Sequence, residues 1–144
     1  MKINDKLTAN SIMAAPATSG TTYTTLTSST ENVLNLKQWF QVGKSFEITN
    51  DGGIRCLRDG YIEVSAKVHW QTLAASGLKW LEIWQNAVKK AQIPQTLTAR
   101  GVVICPTICF EVSVGDVIYL NVSGAADDKI REQAQYTSIT ASYI

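Results

Sequence analysis

Tyr61-Ile62-Glu63-Val64-Ser65-Ala66-Lys67-Val68-His69-Trp70 alternates apolar and polar residues without a break. Side chains of an extended strand point alternately to opposite faces. Ile62, Val64, Ala66, Val68 and Trp70 therefore share one face, and Tyr61, Glu63, Ser65, Lys67 and His69 the other. The first face belongs to a core. The second, carrying charges and an aromatic ring, is either solvated or the interface of an oligomer. Lys79 to Gln85 repeats the pattern less cleanly, with Leu81 and Ile83 on one side and Trp80, Glu82 and Trp84 on the other. Apolar groups on both sides describe a strand covered twice, once by its own core and once by a neighbouring subunit.

Outward from these two runs, further strands are expected over Val33 to Gln38, Ser45 to Thr49, Gly53 to Leu57, Ala99 to Glu111, Val117 to Val122 and Thr137 to Ile144. Turns fall at Asn50-Asp51-Gly52-Gly53, Arg58-Asp59-Gly60, Ser76-Gly77, Val114-Gly115-Asp116 and Ser123-Gly124. Each supplies Gly, Asn or Asp where the backbone needs positive φ or a local side-chain bond. The expectation is an all-β jelly-roll sandwich of about eight to ten antiparallel strands. Its last strand runs to the end of the sequence and is buried in the closed structure. Residues 33–144 form this head. Residues 1–32, rich in Thr, Ser and Ala between 8 and 31, read as an attachment arm or linker that offers little to a core. Ile3, Leu7 and Ile12 have the spacing for one or two helical turns at the start.

The 144 residues suit a single domain, which at that length buries roughly 70% of the surface its unfolded chain exposes. Thirteen Lys and Arg against 12 Asp and Glu leave a formal charge of +1, with no electrostatic case for nucleic acid. The start, Met1-Lys2-Ile3-Asn4-Asp5-Lys6-Leu7, has no apolar stretch of secretory type. No window approaches the ~18 apolar residues of a membrane span. Cys105 and Cys109, about 13 Å apart on an extended strand, are too distant for a disulfide. With Cys56 they are expected as free, buried thiols of a protein folded in a reducing cytoplasm.

Four blocks resemble the globular head of the complement/tumour-necrosis-factor-like superfamily. Ile54 to Leu57 leads into Asp59-Gly60-Tyr61-Ile62-Glu63-Val64, and Leu81-Glu82-Ile83-Trp84-Gln85-Asn86 ends in an Asn turn. Phe110-Glu111-Val112-Ser113-Val114-Gly115-Asp116-Val117-Ile118-Tyr119-Leu120 is similar to the signature preceding a late strand, and Thr137 to Ile144 to the closing one. The resemblance covers roughly residues 45–144 and implies a jelly roll that assembles as a tight homotrimer. Val114 departs from the usual Leu, and Ser138-Ile139-Thr140-Ala141 replaces an aromatic-rich closing motif. The Thr/Ser-rich arm, without a collagen-like stalk, is more similar to bacteriophage versions of this head on tail or capsid fibres. That resemblance implies a virion protein assembled in the host cytoplasm, attached through its arm, with a head that binds a host-surface glycan or protein receptor. A signalling or adhesion ligand for a protein receptor, and a capsid decoration without ligand, are the alternatives.

An exposed indole stacks on sugar C–H groups, so Trp80 and Trp84, with Glu82 between them, are the candidate ligand-binding residues. Burial at a trimer interface is the competing role. Trp39 and Trp70 are read as core. Tyr61, His69, Tyr119 and Tyr143 are the candidate trimer-interface residues. His69, the one histidine, lies on a polar face without a nucleophile motif, and no phosphate-cradling loop or paired catalytic carboxylates appear, so no enzyme is expected. Asp116 and Asp127-Asp128 lack the dense spacing of a calcium loop and read as turn acids; neither metal nor cofactor is expected.

Overall fold

The computed structural model describes residues 10–144. Thirteen strands follow one another: β1 (Ser11–Ala15), β2 (Tyr23–Thr25), β3 (Asn32–Val33), β4 (Lys37–Val42), β5 (Phe46–Ile48), β6 (Ile54–Cys56), β7 (Gly60–Thr72), β8 (Gly77–Gln85), β9 (Val88–Leu97), β10 (Gly101–Val112), β11 (Val117–Ser123), β12 (Lys129–Arg131) and β13 (Ser138–Tyr143). They form two sheets whose ladders are all antiparallel. The first sheet runs β2-β12-β7-β13-β1-β4, with β10 along the opposite edge of β7; the second runs β5-β6-β11-β8-β9, with β3 on β11. This is the two-sheet jelly roll expected from the alternation.

β7 anchors the first sheet. Ile62, Val64, Val68 and Trp70 are fully buried, as the alternation requires, against Ile12, Val103, Ile139 and Ala141 of neighbouring strands. The second sheet supplies Leu81, Ile83, Ile118, Leu120 and Val122 to the same core. Apolar area removed from water on this scale is the main favourable term of folding. Leu34 and Leu36, read as strand, lie buried in the connection between β3 and β4.

Three expectations are corrected. Within the arm expected over 1–32, Ser11 to Ala15 belongs to the head, a strand hydrogen-bonded between β13 and β4 with Ile12, Ala14 and Ala15 fully buried. Ile12 therefore belongs to a strand and not to a helical turn; Ile3 and Leu7 lie outside the described residues. β9 was not expected at all. It forms an edge, and Lys89, Lys90 and Pro94 are the residue types that keep a sheet edge from pairing further. Trp39 is not core. It sits unpaired at a bulge in β4, between the Phe40–Met13 and Gln38–Ala14 pairs, and is 45% exposed. A bulge turns the extra residue off the alternation, so periodicity assigns it to the wrong side.

Candidate functional site

Two surfaces collect the residues singled out in the sequence. One is the outer face of the second sheet. Tyr119 of β11 pairs with Trp84 of β8, and Glu82 with Asn121, so the rings form one cross-strand step and the polar pair the next. The β8–β9 connection is the two-residue turn Asn86-Ala87, with Asn86 at φ 53. A carboxamide side chain tolerates this left-handed conformation. Asn86 ties the turn to β11: its backbone N–H donates to Val117 O at 2.8 Å, its Nδ2 to Asp116 Oδ1 at 3.0 Å, and its Oδ1 accepts from Val117 N–H at 3.0 Å. Asp116 also accepts from the Ser113 N–H and from Gln85 Nε2, which holds its carboxyl below the usual range.

Beside Trp84 and Tyr119 opens a cavity of roughly 340 Å³, lined also by Glu31, Val33, Asp51, Asn86, Ala87 and Asn121. Gly53 lets the Tyr119 ring lie against the backbone, since a Cβ there would meet Tyr119 Cε1 at 2.8 Å and Val117 Cγ1 at 2.4 Å. The Tyr119 hydroxyl donates to Asp51 Oδ2 at 2.9 Å, and the Thr49 hydroxyl to Asp51 Oδ1. The Thr49 bond, then the Tyr119 bond, lower the Asp51 pKa; burial, then the same carboxylate, raise that of Tyr119.

Of the predicted ligand contacts, Trp84 lines this cavity and Glu82 does not reach it as a free group. Glu82 is 4% exposed and accepts from Trp84 Nε1 (3.2 Å), Gln92 Nε2 (2.9 Å) and Lys89 Nζ (2.9 Å). Trp80 shares its face, two residues along β8, opposite Pro94 and Ser123 and away from the cavity.

The other surface is the outer face of the first sheet. Trp39, Phe40, Tyr61 and Ile104 are 45, 49, 59 and 62% exposed there, with Val42 and Val102 also open. Met13, Trp39, Ser65, Lys67, Ile104 and Thr140 contribute to a depression of roughly 440 Å³. The four predicted interface residues separate. Tyr61 stands on this face with its hydroxyl 3.4 Å from Glu111 Oε2. His69 shares it but is partly covered, its ring edge-on to Tyr136 at 5.4 Å and its Nε2 buried without a partner. Tyr119 is on the other sheet. Tyr143 faces the core, stacked on Phe46 at 4.9 Å, with its hydroxyl donating to Arg58 O at 2.7 Å. Its burial within the protomer removes it from any interface and, first among the causes, pushes its pKa up to about 12.

The buried thiols point away from nucleophilic chemistry. Burial pushes Cys56 up to about 11 and raises Cys105, whereas a reactive thiol needs stabilisation of the thiolate. Cys109, expected to be buried, is exposed on β10. Two of the turn acids are spent on the protein itself: Asp116 on Ser113, Gln85 and Asn86, and Asp128, fully buried, on Lys79 Nζ at 2.6 Å. Among the described residues no group of three His, Cys, Asp or Glu is placed to hold a metal ion. Sequence reasoning missed Asp51, taken only as a turn residue, and Ile104 and Phe40, whose neighbours gave no sign of which side they face.

The sequence matches no protein-family model and no curated protein. Solved structures do match. Murine APRIL at pH 8.0 superposes with a TM-score of 0.73 at 12% identity, over 94% of this chain and 99% of that one. Eiger TNF from S. frugiperda gives 0.67 at 12% identity, over 94% and 92%. The chain has the tumour-necrosis-factor jelly-roll fold. At this identity the likeness concerns the fold.

Proposed function

We propose that the protein is a non-enzymatic, homotrimeric binding module whose first-sheet outer face is the seam between protomers. The observation that carries this reading is the set of large apolar side chains on that face, Trp39, Phe40, Tyr61 and Ile104, all near half exposed or more in the single chain. Large apolar side chains collected on one exposed sheet face mark an interaction site. Closed cyclic assembly is the usual way a soluble protein covers one. The fold shared with APRIL and Eiger TNF supports the same reading. The surface left outside the seam, including the Trp84–Tyr119 cavity, is then free to meet a partner.

For its setting we infer a virion: the head of a bacteriophage tail or capsid fibre, assembled in the host cytoplasm, attached through the segment before β1 and facing a host-surface receptor, either glycan or protein. Free cysteines and the sequence resemblance to phage heads support this. The second reading, a ligand or adhesion module for a protein receptor, is favoured by the solved structures it superposes on. Binding of the purified protein to host-cell envelopes, compared with binding to glycan arrays and animal-cell surfaces, separates them. Retention on bacterial envelopes supports the virion setting, and saturable binding to animal cells alone overturns it.

A further inference from the structure

The cavity beside Trp84 and Tyr119 has a lining that selects for charge. Asp51 is ionised, and neither it nor Glu31 is paired with a cation: among the described residues the ion pairs are Arg55–Glu47, Lys79–Asp128 and Lys89–Glu82. Three side-chain donor groups at the cavity are engaged with carboxylates of the protein itself. The Trp84 N–H goes to Glu82, the Tyr119 hydroxyl proton to Asp51, and the Asn86 amide to Asp116. What a ligand meets is aromatic surface, carboxylate lone pairs, the Asn121 carboxamide and the apolar Val33 and Ala87. An anion is repelled by the two carboxylates without a cation partner. A neutral sugar can hydrogen-bond there but leaves the two negative charges unpaired. A cation with an apolar stem finds both of its requirements. The Trp84 ring already shows this affinity, with the Lys89 ammonium 5.4 Å from its centroid.

We propose that this cavity is a socket for an arginine side chain of a protein partner, its guanidinium on the Asp51 and Glu31 carboxylates and its stem against Trp84, Tyr119 and Val33. The volume, near the lower end of the range for ligand sites, suits a single side chain. A planar guanidinium both stacks on a ring and pairs in two-pronged fashion with a carboxylate. Two rings do not make the aromatic cage that a quaternary ammonium calls for. The inference rests on the reading of the protein as a binding module and narrows its receptor from glycan or protein to protein.

The test is a titration of the isotope-labelled full chain with N-acetylarginine amide, choline, 3,3-dimethylbutanol and N-acetylglucosamine, read on the indole N–H resonances, with that of Trp84 assigned through Trp84→Phe. Saturable movement of the Trp84 resonance is expected with the arginine derivative, about tenfold weaker in Asp51→Asn. No saturable shift, an equal shift with the neutral alcohol, tighter binding of choline or of the sugar, or an unchanged Asp51→Asn titration would each overturn the proposal. Glu31→Gln, in an exposed loop, gives a second variant should Asp51→Asn fail to fold, with weakened arginine binding expected and an unchanged titration counting against the socket. Light scattering on the same sample reports assembly separately, so a trimer without arginine binding sinks the socket and leaves the trimer reading intact.

Discussion

Lys79 and Asp128 are a pair of opposite charges with almost no contact with water, at 1% and 0% exposure. They are tolerated because every charge has partners. The Lys79 ammonium also donates to Ala75 O at 2.9 Å, and Asp128 accepts the backbone N–H groups of Ala74 (2.8 Å) and Ala125 (2.9 Å). Gly124 makes room, since a Cβ there would meet Asp128 Oδ2 at 2.6 Å. Removing one member leaves the other charge buried and alone, so Asp128→Ala is expected to cost about 3–5 kcal/mol in urea unfolding. A cost under about 1 kcal/mol would contradict this account of the pair. His69 behaves oppositely. Burial, then the charges of Arg131 and Arg100, lower its pKa below the ordinary 6.5. The folded state resists protonation more than the unfolded chain does, so stability is full above the unfolded value and falls as the pH drops from about 7 towards 5. The ring is partly exposed, so the slope is small. His69→Gln should flatten it in unfolding curves recorded across that range, and an unchanged slope would place the titration elsewhere.

β1 and β9 mark where element-level reading of the sequence succeeds and where it stops. β7 was legible because one face is buried and the other is not, and β8, β11 and β13 from buried apolar residues at alternate positions, Leu81 and Ile83, Ile118, Leu120 and Val122, and Ile139 and Ala141. β1, Ser-Ile-Met-Ala-Ala, sits inside a Thr- and Ser-rich stretch, and its small residues carry little β signal although its two flanking strands bury it. β9 is polar because it is an edge. Trp84 was legible as a site residue from its place on a doubly apolar strand; Asp51 was not, because only the fold brings the β5–β6 turn beside Tyr119. A chain beginning at Asn32 would lack β1, leaving the β13 and β4 edges unpaired and Ile12 absent from the core. Such a chain is expected not to fold, seen as loss of the cooperative thermal transition; a cooperative transition within a few degrees of the full chain would contradict the place given to β1.

At the scale of the whole molecule the two outer faces are unlike. The second sheet's outer face carries a polar ladder, Glu82 with Gln92, Lys89 and the Trp84 indole N–H, beside the Trp84–Tyr119 cavity and the exposed aliphatic Leu78 and Val33. The first sheet's exposes Trp39, Phe40, Tyr61 and Ile104. That asymmetry is what an assembling protomer needs and a solitary one does not. It was foreseen only in part: Tyr61 and His69 were placed by alternation, whereas Trp39 depends on a bulge and Ile104 on the register β10 takes against Lys67 of β7. A charge at the centre of an apolar seam is costly to bury, while on a free surface it costs little. Ile104→Asp should therefore separate protomers without unfolding them. The decisive measurement is the solution mass of the full chain and of Ile104→Asp by light scattering. The account predicts a mass near three times 15.8 kDa for the native chain and a folded species near 15.8 kDa for the variant. A native chain that stays at 15.8 kDa across the concentration range would contradict it.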